Sequence, residues 1–274
     1  MMIQGFNLFL PKRPVHDDDL TVNDPVVCYD NQVTIGNVVA DTANALYPGT
    51  NLANNNTASR WQANDTTTQY ITVTTDNARL IDYVALAKHN LFSSGCTVSI
   101  ETQSVAAGSW TQRTTPQVPT DDGPLIFRFE PLLLTGVRIK MTGNSVVAYA
   151  AVMYVGACTP IPRRLYVGHT PLNLARQANV TNGRAESGNF LGRVVLGEFT
   201  SSSATFANLF PHWYRTNLDP FVKQSKDNCF FFAWRPGDYP SETGYAWMTN
   251  SPMPQNTGVN GMMSIQFQYG GISQ

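Results

Sequence analysis

The chain has 274 residues, a formal net charge of −1 and only 14% charged residues. Without a strong positive field it has little attraction for nucleic acid or for an anionic membrane, so neither is expected as a partner. No segment approaches the roughly 20 consecutive apolar residues that span a bilayer, which argues against membrane insertion. The opening residues MMIQGFNLFLPKRP place their basic pair after the apolar patch, the reverse of a secretory signal, so we expect synthesis in the cytoplasm.

Residues 1–59 predict a loop-rich extension that is partly strand. The runs VVCYD and TIGNVVA have the composition of short strands. The triplet Asp17, Asp18 and Asp19 lacks the alternating spacing of a calcium loop, so we expect a solvated loop there.

The next segment, residues 60–157, predicts an antiparallel β-sandwich. Its short runs are rich in Val, Ile, Thr, Tyr and Phe and are cut by Asn, Gly and Ser clusters, a pattern typical of strands joined by turns. Apolar and polar residues alternate in TVSIE (97–101) and in VRIKM (137–141), which places Val, Ile and Met on the core face. Trp61, at the start of the first strand, is expected to fill one end of the sandwich.

The segment CTPIPRRL (158–165) predicts a boundary, because Pro cannot donate to a sheet ladder and stiffens a connector. Residues 158–274 then predict a second β module. Its strand candidates include GRVVLGEFT and SATF. The run FFFAW (230–234) is too apolar for a strand with one wet face, so we expect it to be buried on both sides.

One helix is predicted at about residues 208–226, where apolar side chains recur at helical spacing. Pro211 falls in the first turn, where its missing N–H does no harm. Pro220 would interrupt a continuous helix, so we expect two segments, with Asp219 capping the second and Pro220 at its first position.

The sequence contains no motif that predicts catalysis, a cofactor or a metal. The nucleophile elbow G-x-S-x-G, the phosphate-binding loop and HExxH are absent, and the cysteines lack metal-ligand spacing, so we expect buried reduced thiols. Asp121-Asp122 and scattered glutamates could in principle form a glycosidase pair, or they could close a turn and lie on the surface. The cysteines are Cys28, Cys96, Cys158 and Cys229.

Three residues are candidates for contact with a ligand or an interface. Trp110 lies in the polar stretch GSWTQ, and an exposed Trp ring can stack on a sugar or anchor a protein contact. His89 and Asn90 follow a strand, at the kind of loop where sandwiches bind ligands. Either side chain could hydrogen-bond a sugar, or it could close the turn through bonds to the backbone.

Two parts of the chain resemble known families. In residues 60–156, a Trp precedes the first strand, an apolar strand leads into the turn YVALAKHNL, and VRIKMTG precedes an apolar return strand. This order resembles the discoidin, or galactose-binding-like, jelly roll. The string LDPFVKQSKDNCFFFAWRPGDYPSETGYAWMT, followed by MMSIQFQYGG, resembles tail proteins of double-stranded DNA bacteriophages, which carry a discoidin-like pattern in front of such modules.

The resemblance covers about residues 50–272 and implies a role in the virion. It implies a structural protein at the tail tip, of the distal-tail or baseplate kind, that forms a symmetric ring with copies of itself. Its other implied partners are further tail proteins, namely the tube, the hub and the fibres. No calcium or sugar ligand set carries over residue by residue.

The sequence therefore predicts a mainly β fold with an extension over 1–59, a jelly-roll sandwich over 60–157, and a β-sandwich or barrel module with one packed helix over 158–274. The predicted function is that of a non-enzymatic bacteriophage tail protein without cofactor or metal. The first alternative is a carbohydrate-binding module that contacts host surface glycan directly. The second is a glycan hydrolase.

Overall fold

The computed structural model describes residues 1–4, 21–165, 168–257 and 261–273, so His16 and the Asp17 to Asp19 triplet lie outside the described residues. The strands are β1 Met2–Gln4, β2 Val26–Cys28, β3 Val38–Ala40, β4 Trp61–Gln62, β5 Gln69–His89, β6 Thr97–Gln103, β7 Thr111–Gln112, β8 Leu125–Thr142, β9 Tyr149–Gly156, β10 Thr159–Pro160, β11 Arg176–Arg184, β12 Phe190–Leu209, β13 Phe230–Ala233, β14 Thr243–Met248, β15 Gln255–Thr257 and β16 Met262–Ile272. The helical elements are a 3₁₀ turn Gly49–Ala53, α1 Pro211–Trp213, a π turn Tyr214–Leu218 and α2 Asp219–Gln224. The predicted fold class is confirmed: the chain is mainly β, with a sandwich followed by a second β module and one helical segment.

The first sheet is built around two long strands, β5 and β8, which pair with each other along both of their halves. Their register breaks between Thr74 and Arg79 and again between Ile81 and Tyr83. The first half of β5 also pairs with β3, and its second half with β9. The first half of β8 also pairs with β1, and its second half with β6. The two long strands therefore belong to both layers of the sandwich and join them at the bend.

The core of this sandwich follows the predicted alternation of apolar and polar residues. Val98, Ile100, Val137 and Ile139 are fully buried between the two layers. Trp61 lies in the same core, and its indole N–H donates to the carbonyl of Thr42 at 2.8 Å. That hydrogen bond satisfies the one polar group of a ring that is otherwise removed from water.

The second sheet has the strand order β10-β2-β13-β14-β16-β12-β11, with β15 paired to β16. Its members come from two distant parts of the chain, since β2 lies between β10 and β13. The strands of residues 1–59 are thus divided: β1 and β3 extend the first sheet, and β2 is an internal strand of the second.

A third apolar cluster fills the space between the two sheets. Tyr83 and Tyr154, on the outer face of the sandwich, pack against Phe231 and Tyr245 of the second sheet. Residues 230–233 of the run FFFAW are buried on both faces, as predicted, whereas Trp234 is only partly buried. Phe230 and Phe232 face the second sheet's own core, whereas Phe231 and Ala233 face the sandwich.

The helical segment differs from the prediction in its length and at Pro220. It begins at Pro211, because β12 continues to Leu209, and it ends at Gln224. It is continuous, since the N–H of Asp219 bonds to the carbonyl of Tyr214 in a π turn just before Pro220. This wider turn accommodates the residue that lacks an N–H. The prediction that Asp219 caps a separate helix is wrong, because Asp219 is itself helical, with φ −60° and ψ −38°.

Candidate functional site

His89 is the last residue of β5 and Asn90 begins the turn that follows, and both are buried. The Nδ1 atom of His89 accepts the backbone N–H of Leu91 at 3.3 Å. The amide of Asn90 donates to the carbonyl of Val147 at 2.9 Å and accepts the N–H of Tyr149 at 2.7 Å. These bonds close the turn and fasten it to the start of β9. Contact of either residue with a ligand stays a prediction.

Burial makes His89 a source of pH dependence. Its pKa is lowered from 6.5 to about 4, first by burial, against the opposing charge of Asp122. Between pH 6.5 and pH 4 the His89 side chain is protonated in the unfolded chain but stays neutral in the folded chain. The stability present above pH 6.5 is therefore lost as the pH falls toward 4.

We expect the free energy of unfolding to be about 2 kcal/mol lower at pH 5 than at pH 7 on account of His89. In His89→Asn, the Oδ1 atom can still accept the N–H of Leu91, and this part of the pH dependence should vanish. His212→Asn, at an exposed histidine, is the control. Urea denaturation at both pH values measures the effect. An unchanged pH dependence in His89→Asn would contradict the assignment.

Trp110 lies on the outer face of the sandwich, half-buried beside Arg138. The guanidinium carbon of Arg138 is 4.5 Å from the Trp110 ring centre and 4.4 Å from that of Tyr70. Arg138 is held in place by Glu101, whose Oε2 accepts the Arg138 Nε–H at 2.6 Å. We call Tyr70, Trp110 and Arg138 the aromatic–arginine face. It is a preorganised surface of two rings around one cation.

A polar depression of about 380 Å³ lies at the bend of β5, within the size range of small-molecule sites. Its lining supplies hydrogen-bond donors and acceptors but no aromatic ring. Another depression, of about 450 Å³ and of mixed polar and apolar lining, lies beside β11, β12 and β16. The first is lined by Gln32, Thr34, Gly36, Asn37, Thr74, Thr75, Asp76, Asn77 and Arg79.

Three of the carboxylates considered for catalysis have other partners. Glu101 binds Arg138 and lies 3.8 Å from the Nζ atom of Lys140. Asp122 accepts the N–H groups of Phe92 and Ser93 at 2.9 and 3.1 Å. Asp121 accepts the N–H of Gly123 at 2.9 Å, as expected of a turn. The contacts of Asp121 and Asp122 correspond to the turn role that the sequence left open, whereas Glu101 is buried rather than on the surface.

A buried polar cluster lies between the two sheets. Asp82 of β5 accepts both the N–H of Cys158, at 2.7 Å, and its thiol, at 3.2 Å. Burial raises the pKa of Asp82, and the buried Arg128 opposes that rise. Burial also raises the pKa of the Cys28 thiol, which neighbours Cys158 across β2 and β10. Cys28 and Cys96 are buried as expected, whereas Cys158 and Cys229 are only partly buried.

An exposed apolar surface lies on a β-hairpin that we call the arm, formed by β11 and residues 190–199 of β12. The two predicted strands GRVVLGEFT and SATF are one strand, β12. Only the part from Thr200 onward pairs with β16. At roughly 3.3 Å per residue the arm extends about 30 Å along the hairpin. More than half of the surface of six large apolar side chains is exposed there: Phe190, Leu191, Val194, Val195, Leu196 and Phe199.

The arm has the features of an interaction site. An isolated two-stranded ribbon is marginally stable in water, and exposed apolar patches of this kind mark contacts with other molecules. Among the described residues, 190–199 have β11 as their only strand neighbour. The strand patterns of the sequence did not predict this surface. The available signal was the run VVL (194–196), which lacks the polar alternation of a strand with one solvated face.

The described ranges contain no cluster of His, Cys, Asp or Glu suited to a metal ion. Nor do they contain a helix with the length and apolar character needed to cross a bilayer.

No protein-family model matches the chain. No curated protein matches it either.

Solved structures match slightly less than half of the chain. A chitosan-binding module 1 from a chitosanase/glucanase of Paenibacillus sp. IK-5 is 16% identical, with a TM-score of 0.42, over 47% of this chain and 100% of that one. A pectin-binding carbohydrate-binding module is 12% identical, with a TM-score of 0.38, over 47% and 92%. The CBM32 of AlyQ, solved with 4,5-unsaturated mannuronic acid, is 21% identical, with a TM-score of 0.38, over 47% and 96%. Each is a likeness of fold.

Proposed function

We propose that this chain is a non-catalytic structural protein that works by docking to other subunits, at the tip of a bacteriophage tail. There it would link the tail tube to the host-recognition components, as a protein of the distal-tail or baseplate kind. The observation that carries the docking role is the arm, with its exposed apolar side chains and a strand edge that no other described strand pairs with. The tail assignment comes from the resemblance of the C-terminal half to phage tail proteins.

The surface chemistry supports an assembly role. With 14% charged residues and a net charge of −1, many copies can approach one another without strong repulsion. The two sheets also share an apolar cluster and the buried Asp82 cluster, which holds the body together as a base for the arm. A projecting apolar arm on a well-buried body is the form expected of a subunit whose contacts are completed by neighbours.

Antibody labelling of virions tests the tail assignment. An antibody against this chain, applied to negatively stained particles of the phage that encodes it, is expected to label only the tail tip. Labelling of capsids, or no label on particles whose protein content includes the chain, would contradict the assignment. An antibody against the capsid protein is the positional control.

Glycan binding is the second candidate, and the aromatic–arginine face is the observation that favours it. Tyr70 and Trp110 offer rings beside a fixed cation, and aromatic rings at a protein surface can stack on sugars. The polar depression at the bend of β5 adds hydrogen-bonding groups on the same sandwich. The solved structures similar to slightly less than half of the chain are named as carbohydrate-binding modules.

If the face binds glycan, Trp110→Ala should weaken binding about tenfold, because one stacking ring is lost. The measurement is titration of the purified protein against host polysaccharide and against a glycan array. Trp247→Ala, at a partly exposed Trp of the second sheet, is the matched control. Equal binding by Trp110→Ala and the parent chain would exclude this face as the glycan site.

A further inference from the structure

Residues 193–198 of β12 form an edge that is complementary to itself. The order is Arg193, Val194, Val195, Leu196, Gly197 and Glu198, with one positive end, one negative end and an apolar centre. When two such edges run antiparallel about a two-fold axis, the first residue of each copy meets the last residue of the other. Opposite charges then face each other twice, on either side of the apolar residues.

Both charges lie on one face of the arm. Arg193 is opposite Asn182 and Glu198 is opposite Ala178 in the hairpin. Residues 178 and 182 are even-numbered neighbours on the regular strand β11, and successive even positions share a face. Leu196 is the extra residue of a bulge, because Asn179 pairs with Gly197 and Val180 with Val195. The bulge brings Arg193 and Glu198, five residues apart, onto the same side of the ribbon.

Neither charge has a partner within the described chain. The side chains of Arg193 and Glu198 are exposed and make no hydrogen bond or ion pair with another described residue. Cross-strand opposite charges stabilise an antiparallel pair, whereas like charges directly opposite destabilise it.

The same rule argues against the other edge of the arm. A two-fold pairing of β11 about Val180 would bring Arg176 of each copy opposite Arg184 of the other, and both pairs would repel. The charges therefore favour the edge of β12. Pairing over 193–198 also ends before Thr200, where β16 already occupies that edge through Gly271.

We propose that two copies of this chain associate through residues 193–198 of β12, paired antiparallel so that Arg193 faces the partner subunit's Glu198. The pairing joins two marginal two-stranded ribbons into one four-stranded sheet, on which apolar side chains of neighbouring strands pack side by side. The inference rests on the proposed role of the arm as a docking surface and names its partner as a second copy of the chain.

Charge reversal tests this register. In Arg193→Glu or Glu198→Arg, both symmetry-related pairs become like-charged, so the dimer dissociation constant should rise at least about tenfold. In the double variant R193E/E198R the opposite pairs are restored, and the constant should return to within about threefold of the parent value. Arg184→Glu, a charge reversal on the other strand of the arm, is the matched control and should leave dimerisation unchanged.

The measurement is sedimentation equilibrium of the full chain over a concentration series, with circular dichroism to show that each variant folds. A parent chain that stays monomeric at every soluble concentration would overturn the inference. So would a dimer indifferent to the single reversals, or one that the double variant fails to restore. If the parent chain is monomeric but the antibody still labels the tail tip, the inference fails and the proposed function stands. A confirmed dimer with labelling elsewhere would overturn the tail assignment alone.

Discussion

Replacement of Phe231 by alanine is expected to lower the free energy of unfolding by about 3–5 kcal/mol. Phe231 is fully buried between the two sheets, with its ring centre 4.9 Å from that of Tyr245 and 5.4 Å from that of Tyr154. Its removal takes away a large apolar contact and leaves a cavity that the paired strands on either side cannot easily fill.

Urea denaturation followed by far-ultraviolet and near-ultraviolet circular dichroism measures this loss. Because the cluster joins both sheets, we expect one coincident transition in the parent chain. Phe92→Ala is the matched control, since Phe92 is 48% exposed, and it should cost no more than about 1 kcal/mol. A loss at Phe231 as small as the loss at Phe92 would show that the sheets are not coupled through this cluster.

Asp82→Asn is expected to lower the free energy of unfolding by a similar amount, about 3–5 kcal/mol, because a buried charge loses its counter-charge. The asparagine Oδ1 can still accept the N–H of Cys158, but the carboxylate charge that acts on Arg128 is gone. Arg128 is buried, and its Nε atom has no hydrogen-bond partner among the described residues. A buried charge without its counter-charge is costly, because water can no longer solvate it.

A double-mutant cycle separates this cost from loss of packing. The variant D82N/R128M removes both charges and is expected to recover to within about 2 kcal/mol of the parent, since neither member is then left uncompensated. Asp219→Asn, which breaks the exposed pair of Asp219 with Lys223, is the control and should cost about 1 kcal/mol or less. Strictly additive losses in the cycle would contradict the electrostatic account.

Local sequence patterns correctly predicted the strands in which apolar and polar residues alternate, or in which apolar residues follow one another without a break. The alternation in 97–101 and 137–141 gave the correct core face, because a strand's side chains alternate with period two whatever the strand's partners are. The apolar run at 230–233 was correctly expected to be buried on both faces. The helical segment was found near its predicted position, but its continuity through Pro220 was missed, because a π turn has no sequence pattern as clear as that of a cap.

The candidate site was much less accessible to sequence reasoning. Trp110 was expected in an exposed loop, but whether its ring would lie against Arg138 depends on strands far apart in the chain. For His89 and Asn90 the sequence left open whether they bind a ligand or close the turn. In the structure both residues form hydrogen bonds that close the turn. The arm was predicted as ordinary strands, because composition does not tell whether an apolar strand will be covered.

Residue patterns along the chain were enough to predict a β protein with a sandwich in front and a second, more aromatic module behind, and they indicated which side chains face the first core. The folded structure was needed to show that β2 enters the second sheet, that the outer face of β5 and β9 is covered, and that the arm is not covered by another described strand. The physical reason is that strand periodicity is local. Burial of a given face, in contrast, depends on pairings between residues that are distant along the chain, and no short window of sequence contains them.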